Sequence, residues 1–319
     1  MTRELLIFRH GKSDWDTGVD DFHRPLKDRG KRAAQRVGAW LAQHDMVPDL
    51  IITSPAERAL VTAQKACKAM GNGVDGIVQD ERIYAAALDE LLQVLEDCPP
   101  DADRVMLVGH NPGLEELLVW LANEDVPLPD DGKLLPTATL ARLQMPADWR
   151  ALVAGCARLL SITRPATLPK KFPYPAPDGS EQRDRPAYYY TQSSVIPYRV
   201  RNGQAEILVI ASSKKHHLVV PKGIQEPGLS PQASAAREAL EEAGIEGEVA
   251  AAALGSYTCE KWGATCSVTV YPMKVNRVIA DEEWEESHRG RRWLNPEKAA
   301  SQLKQAELGP LVKKLAAML

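Results

Sequence analysis

Residues 4–16 read ELLIFRHGKSDWD. Four consecutive apolar residues, Leu5 to Phe8, run directly into Arg9, His10 and Gly11. A short uninterrupted apolar run closed by a turn residue is the pattern of a strand buried on both faces. The pattern recurs in DLIITSPAERALVTA (residues 49–63) and in RVMLVGHNPGLEELL (residues 104–118). Helical periodicity follows each run: residues 30–44, a segment from about Ala56, and the stripe Leu114, Leu117, Leu118 and Leu121 at i, i+3, i+4, i+7. Strand and helix in alternation predict an α/β unit with a mostly parallel sheet between two helical layers. Such sheets place their sites beyond the carboxyl ends of the strands.

Those ends carry chemistry. The first run delivers Arg9 and His10, the third delivers His110, and the second reaches Ser54 with Arg58 just inside the next helix. Two arginines and two histidines at one sheet edge, beside helix N-termini, form a pocket for a phosphoryl group. A histidine there can act as nucleophile through a covalent phosphohistidine that water then hydrolyses. The arginines neutralise the developing charge, so no metal or other cofactor is needed in this unit.

From Thr163 the texture changes to TRPATLPKKFPYPAPDGSEQRDRPAYYY, where six prolines preclude a continuous helix or a central strand. The expected organisation is a unit over residues 1–163, a proline-rich linker over 164–186, and a unit over 187–319. In the last, strand patterns dominate: SSVIPYRV, AEILVIA, HLVV and CSVTVYPMKV. One helix, about residues 231–243, interrupts them, and a helical tail follows, which predicts a smaller α+β domain. That helix ends in REALEEAG (237–244), after a Ser230 cap and Pro231 at its first position. Glu238, Glu241 and Glu242 lie at i, i+3 and i+4 on one face, where like charges repel unless neutralised. Three hard oxygen donors suit Mg²⁺ or Mn²⁺, which recruits substrate phosphates and activates water. Glu241 and Glu242 are candidates for the general base, as are Glu282, Glu283, Glu285 and Glu286.

The motifs LLIFRHGKSDWD, RPLKDRG, TSPAERALVTA and LVGHNPGLEELL resemble the histidine phosphatase superfamily, and within it the SixA-type phosphohistidine phosphatases, over about residues 3–163. The resemblance implies that His10 accepts the phosphoryl group and that Arg9, Arg58 and His110 hold its oxygens. Asp16 stands where many relatives have an asparagine that touches phosphate. The general acid is open among Asp14, Glu81, Tyr84 and His110, and a pocket without a dedicated acid suits good leaving groups such as phosphoramidates.

The spacing of Gly223, Arg237, Glu238, Glu241, Glu242, Gly244 and Ile245 resembles the Nudix box, with Leu229 where its first glutamate belongs and Glu226 three residues earlier. Over about residues 190–315 the chain resembles the Nudix branch that hydrolyses diphosphoinositol and diadenosine polyphosphates. This implies a Nudix sandwich and substrate-binding cations at Arg199, Lys214, Lys215, Arg289 and Arg291. The expected function is a bifunctional phosphohydrolase. The metal-dependent unit would cleave a phosphoanhydride in a nucleoside or dinucleoside polyphosphate or a similar compound, and the phosphatase would remove phosphate from the product. The alternative is a protein phosphohistidine phosphatase regulated by a non-catalytic, nucleotide-sensing Nudix-like module. The partners are then a polyphosphorylated small molecule and, on the second reading, a phosphohistidine protein.

Composition agrees with this class. The 319 residues are 44% hydrophobic and 26% charged with net charge −4, so nothing argues for nucleic acid or an anionic membrane surface. No apolar stretch approaches a membrane span, and MTRELLIFRH lacks the pattern of a signal peptide. Cys67, Cys98, Cys156, Cys259 and Cys266 are scattered and odd in number, as expected of reduced thiols in a cytoplasmic protein.

Overall fold

In a computed structural model, the apolar run at the start of the chain is the strand β1 (Arg3–Arg9), the centre of a six-stranded sheet. The structure describes residues 3–123, 126, 131–214 and 216–319. The chain forms two units, residues 1–186 and 187–319.

In the first unit, β1 is followed by α1 (Asp28–Gln43), β2 (Leu50–Thr53), α2 (Glu57–Ala69), β3 (Ile77–Gln79), α3 (Leu88–Glu96), β4 (Arg104–Gly109), α4 (Gly113–Ala122), β5 (Leu140–Met145) and β6 (Arg158–Thr163). The sheet order is β3-β2-β4-β1-β5-β6. The first four are mutually parallel, and β5 and β6 are antiparallel additions. Period-two alternation divides the core. Leu5, Ile7, Val105 and Leu107 pack with α3 and α4, whereas Leu6, Phe8, Met106 and Val108 pack with α1 and α2. The α1 and α2 backbones approach closely at Gly38, where a Cβ would lie 2.2 Å from the Ala66 carbonyl oxygen.

Residues 164–186, expected as a linker, group with the first unit. They hold a helical turn at Pro165–Thr167 and a ribbon of β7 (Phe172–Tyr174) and β8 (Glu181–Arg183). Phe172 and Leu168 are buried, which explains why the prolines shape a folded segment here.

The second unit runs β9 (Thr191–Arg201), β10 (Gln204–Ala211), β11 (Leu218–Val219), β12 (Lys222–Ile224), α5 (Pro231–Ala243), β13 (Ile245–Val249), β14 (Gly255–Lys261), β15 (Ala264–Val278), β16 (Arg291–Leu294), α6 (Pro296–Gln302) and α7 (Leu308–Ala316). Its mixed sheet centres on β9, parallel to β15 and antiparallel to β10 and β12. Val195, Leu208 and Ile210 face α5 through Ala235, Ala239 and Ala243, and Ile196, Ile207 and Val209 face α6 and α7. The result is a helix–sheet–helix sandwich. No helix among the described residues is long and apolar enough to cross a membrane.

Candidate functional sites

In the first unit, His10 directly follows β1, His110 directly follows β4, and Arg58 sits in the first turn of α2 beyond β2. The parallel sheet thus brings three chain-distant side chains to its carboxyl edge, with the His10 and His110 ring centroids 5.0 Å apart. His10 is 8% exposed and Arg58 5%. The Nδ1 of His10 lies 2.7 Å from the Gly11 carbonyl oxygen. A carbonyl only accepts, so Nδ1 donates, and in the neutral ring Nε2 keeps its lone pair. Burial pushes the His10 pKa down to about 4, and Arg58, Arg9 and Arg24 press the same way against the Gly11 carbonyl. Neutral His10 is therefore the form present at neutral pH. His110 is lowered to about 3, first by burial and then by His10 and Arg58. Its Nε2 meets Ser54 Oγ at 2.9 Å.

Two residues that the strand-end pattern did not point to complete the group. Arg24 is 7% exposed and reaches Asp21 Oδ1 at 2.9 Å. Asp21 Oδ2 accepts from Arg58 at 2.8 Å and from the Tyr84 hydroxyl at 3.0 Å, and its carbonyl accepts a second bond from Arg58. Although burial would raise it, Asp21's carboxyl is held below the usual range by the Tyr84 hydroxyl and Arg58. The Nε atoms of Arg9, Arg24 and Arg58, Nη1 of Arg24 and Nδ1 of His110 are buried without hydrogen-bond partners. Such a concentration of unused polar nitrogens, four of them guanidinium donors, is what an oxyanion site needs and a packed core avoids.

Arg9 is nearby but tied through Nη1 to the Leu135 carbonyl at 2.6 Å. Asp16 is not in the group. It is exposed, with its carboxylate 3.6 Å from Lys27, because the loop after Gly11 carries it outward. Of the candidate acids, Asp14 pairs with Lys27 at 3.0 Å and Glu81 is exposed, whereas Tyr84 sits edge-on to His110 at 5.7 Å.

In the second unit, Ser230 Oγ accepts from the Ala233 amide and Gly244, at φ +58°, closes α5. Glu238 and Glu242 both face β12. The Glu238 carboxylate lies where a Gly223 Cβ would be, 1.8 Å from its Cδ. Glu242 Oε2 accepts from the Lys222 amide at 3.0 Å, and Oε1 meets Arg289 at 2.9 Å. Glu241 turns to Arg237, 2.8 Å away. Glu238 is pushed up to about 7 by burial, then by Glu242, Glu241 and Glu226. Glu226 therefore stands within electrostatic reach of Glu238, while position 229 supplies only a leucine. A crowded carboxylate held in a glycine cradle fits a divalent cation. Among the described residues, no three acids converge closely enough to cage one unaided.

The five expected substrate cations fare differently. Arg199 pairs with Glu206 at 2.7 Å and stacks on Trp293. Arg289 is buried between Glu242 and Glu286. Arg291 binds Asp281 and the carbonyls of Gly244 and Ile279. These three are held by partners inside the unit, which spacing alone could not reveal. Lys214 is exposed and Lys215 lies outside the described residues. Arg289, Arg291, His216 and His217 do line one cleft of about 340 Å³.

Comparison with known proteins matches the same two regions. The model of the histidine phosphatase superfamily (branch 1) matches residues 5–83, and the NUDIX domain model matches residues 191–315. An "uncharacterized protein" of Mycobacterium tuberculosis is 29% identical over 162 residues, covering 49% of this chain and 99% of its own length. The 2,3-bisphosphoglycerate-dependent phosphoglycerate mutase of Nocardia farcinica is 31% identical, covering 40% of this chain and 50% of its own. Among solved structures, the putative phosphohistidine phosphatase SixA of Nakamurella multipartitia matches 52% of this chain and 98% of its own, with 27% identity and TM-score 0.45. The Ap4A hydrolase of C. elegans matches 40% of this chain and 97% of its own, with 27% identity and TM-score 0.35. The chain thus joins a region that matches the histidine phosphatase superfamily to a C-terminal region that matches the NUDIX domain.

Proposed function

We propose that the chain is a bifunctional phosphohydrolase with two different ways of making a site positive. The observation that carries the first half is the neutral His10 ring, with Nδ1 committed to Gly11 and Nε2 bare among Arg58, Arg24 and His110. Nε2 attacks phosphorus. The bond to the leaving group breaks, and its electron pair departs with that group, which takes a proton from solvent. Water then attacks the phosphohistidine, the P–N bond breaks, and its electrons return to Nε2 while the water's proton passes to solvent. The incoming phosphoryl oxygens displace the Asp21 carboxylate from Arg58 and Arg24, the two cations it now occupies. The pocket suits a phosphoramidate, whose leaving group needs little acid assistance.

In the second unit, Glu238 and Glu242, with Glu241 released from Arg237, would hold Mg²⁺ or Mn²⁺, and Glu226 adds a carboxylate in place of the one missing at position 229. A bound divalent ion supplies charge neutralisation at phosphate oxygens and a more acidic water. Arg289 orients Glu242 from a buried position. The substrate class is a nucleoside or dinucleoside polyphosphate or a similarly phosphorylated small molecule.

A panel of nucleoside triphosphates, diadenosine polyphosphates and a phosphoramidate, with and without EDTA, tests both halves. Products that survive EDTA should vanish in His10→Ala, and EDTA-sensitive products should vanish in Glu238→Gln. Loss of both product sets in either variant, with folding intact, would contradict the assignment.

A further inference from the structure

A second concentration of positive charge in the first unit is separate from the Arg24–Arg58 group. Arg29, Arg32 and Arg36 recur at spacings of three and four, so they share one face of α1. Together with Lys12, Thr137 and Pro165 they line a cleft of about 400 Å³. Its position is fixed by close backbone packing: a Cβ on Gly30 would lie 2.4 Å from the Lys12 carbonyl oxygen, and the Lys27 amide donates to the same oxygen at 2.9 Å. The base of α1 is therefore held against the loop that follows His10.

Four like charges around one concavity repel, and nothing in the cleft lining offsets them. Its lining contains no carboxylate. Arg32 donates to the Asp184 carbonyl at 3.1 Å and Arg36 to the Pro165 carbonyl at 3.3 Å, neutral acceptors that leave the cations unneutralised. The Asp184 carboxylate is 4.0 Å from Lys171, and Asp28 is 3.9 Å from Lys31. Among the described residues Lys12 and Arg29 have no ion-pair partner, and Nε of Arg36 is buried without a hydrogen-bond partner. A solvated helix face would be convex and laced with acids. This cleft is concave, and no acid lines it.

We propose that this cleft is an oligophosphate-binding site, whose lining shares no residue with either hydrolytic centre. Several negative charges on closely spaced tetrahedral oxygens match guanidinium forks in a volume of this size. The phosphate chain could be inorganic or part of a nucleotide. A carboxylate-rich peptide is the competing class, and concavity argues against it.

Isothermal titration of the full chain with inorganic tripolyphosphate, in EDTA, tests the assignment. ATP and a hexa-aspartate peptide are titrated in parallel. Arg29→Glu, at an exposed position without a structural partner, should weaken tripolyphosphate binding about tenfold or more. His10→Ala should alter only binding at the phosphatase centre and leave the Arg29-dependent binding in place. Arg36→Lys, which keeps charge but loses the fork, should weaken it less than Arg29→Glu. Equal affinity for ATP and tripolyphosphate assigns the phosphate chain alone, and tighter ATP binding that also falls in Arg29→Glu assigns a nucleotide. Wild-type affinity in Arg29→Glu, loss of the Arg29-dependent binding in His10→Ala, or equally tight binding of the peptide would overturn the proposal.

Discussion

At the scale of single residues, the decisive arrangement is a carboxylate lying across the two arginines proposed to hold the substrate's charge. Asp21 engages Arg58, Arg24 and Tyr84 together. An anion that must displace it binds more weakly than it otherwise would. Asp21→Ala should therefore lower the inhibition constant of orthophosphate at the metal-free centre by about tenfold, roughly 1.4 kcal/mol. Weaker phosphate inhibition would instead mean that Asp21 positions the arginines. The protonation of His10 gives a second expectation. Its pKa lies near 4, below the ordinary 6.5, because burial and three arginines disfavour the imidazolium. The folded protein thus keeps the ring neutral as pH falls through 6.5, and kcat/KM for the phosphoramidate should stay level until about pH 4 to 5. A limb near pH 6.5 would place the nucleophile in solvent. By the same linkage, stability conferred by a neutral His10 is present above 6.5 and is lost as pH falls from there toward 4. His10, Arg58 and His110 were legible because each follows a buried strand within a few residues. Asp21 was not, because the path of the loop between Gly11 and α1 is set by tertiary contacts that leave no periodic trace.

At the scale of elements, two glycines act through close approach. At Gly38 the α1–α2 crossing leaves no room for a methyl group, since the Ala66 carbonyl oxygen lies 2.2 Å from where a Cβ would stand. Gly38→Ala should destabilise the first unit by about 1–3 kcal/mol, typical of overpacking, read from its urea unfolding transition. An unchanged midpoint would mean that the helices separate freely. At Gly223 the cost is functional, because β12 supplies the floor on which Glu238 rests. Gly223→Ala should reduce the EDTA-sensitive activity on the order of 10- to 100-fold while leaving the phosphoramidate reaction intact. Equal loss of both would indicate general misfolding. Apolar runs and helical periodicity located β1, β2, β4, α1, α2 and α4, and β9, β10, β11, β15 and α5 in the second unit, since periodicity reports burial directly. By contrast, β3, α3, β5, β6, β12, β13, β14 and β16 were not read. Proline content misdescribed residues 164–186, because proline forbids regular elements without forbidding burial, and Phe172 is 1% exposed.

At the scale of the whole molecule, charge is handled in three ways. His10 sits among arginines paired to a displaceable acid, α5 gathers acids that a cation would neutralise, and α1 presents arginines that await an anion. The two family regions were readable from motifs because each functional group stands in a short local pattern, at the end of a buried strand or along α5. The ion-paired state of Arg199, Arg289 and Arg291 was not, because their partners come from Glu206, Glu242, Glu286 and Asp281 across turns and strands. The most direct measurement is a rapid acid-free quench of the full chain, in EDTA, with a radiolabelled phosphoramidate. The account predicts one phosphoryl group per chain, stable in alkali and labile in acid, mapped to His10 and absent from His10→Ala. Label retained in His10→Ala, or turnover with no labelled intermediate at any quench time, would contradict it.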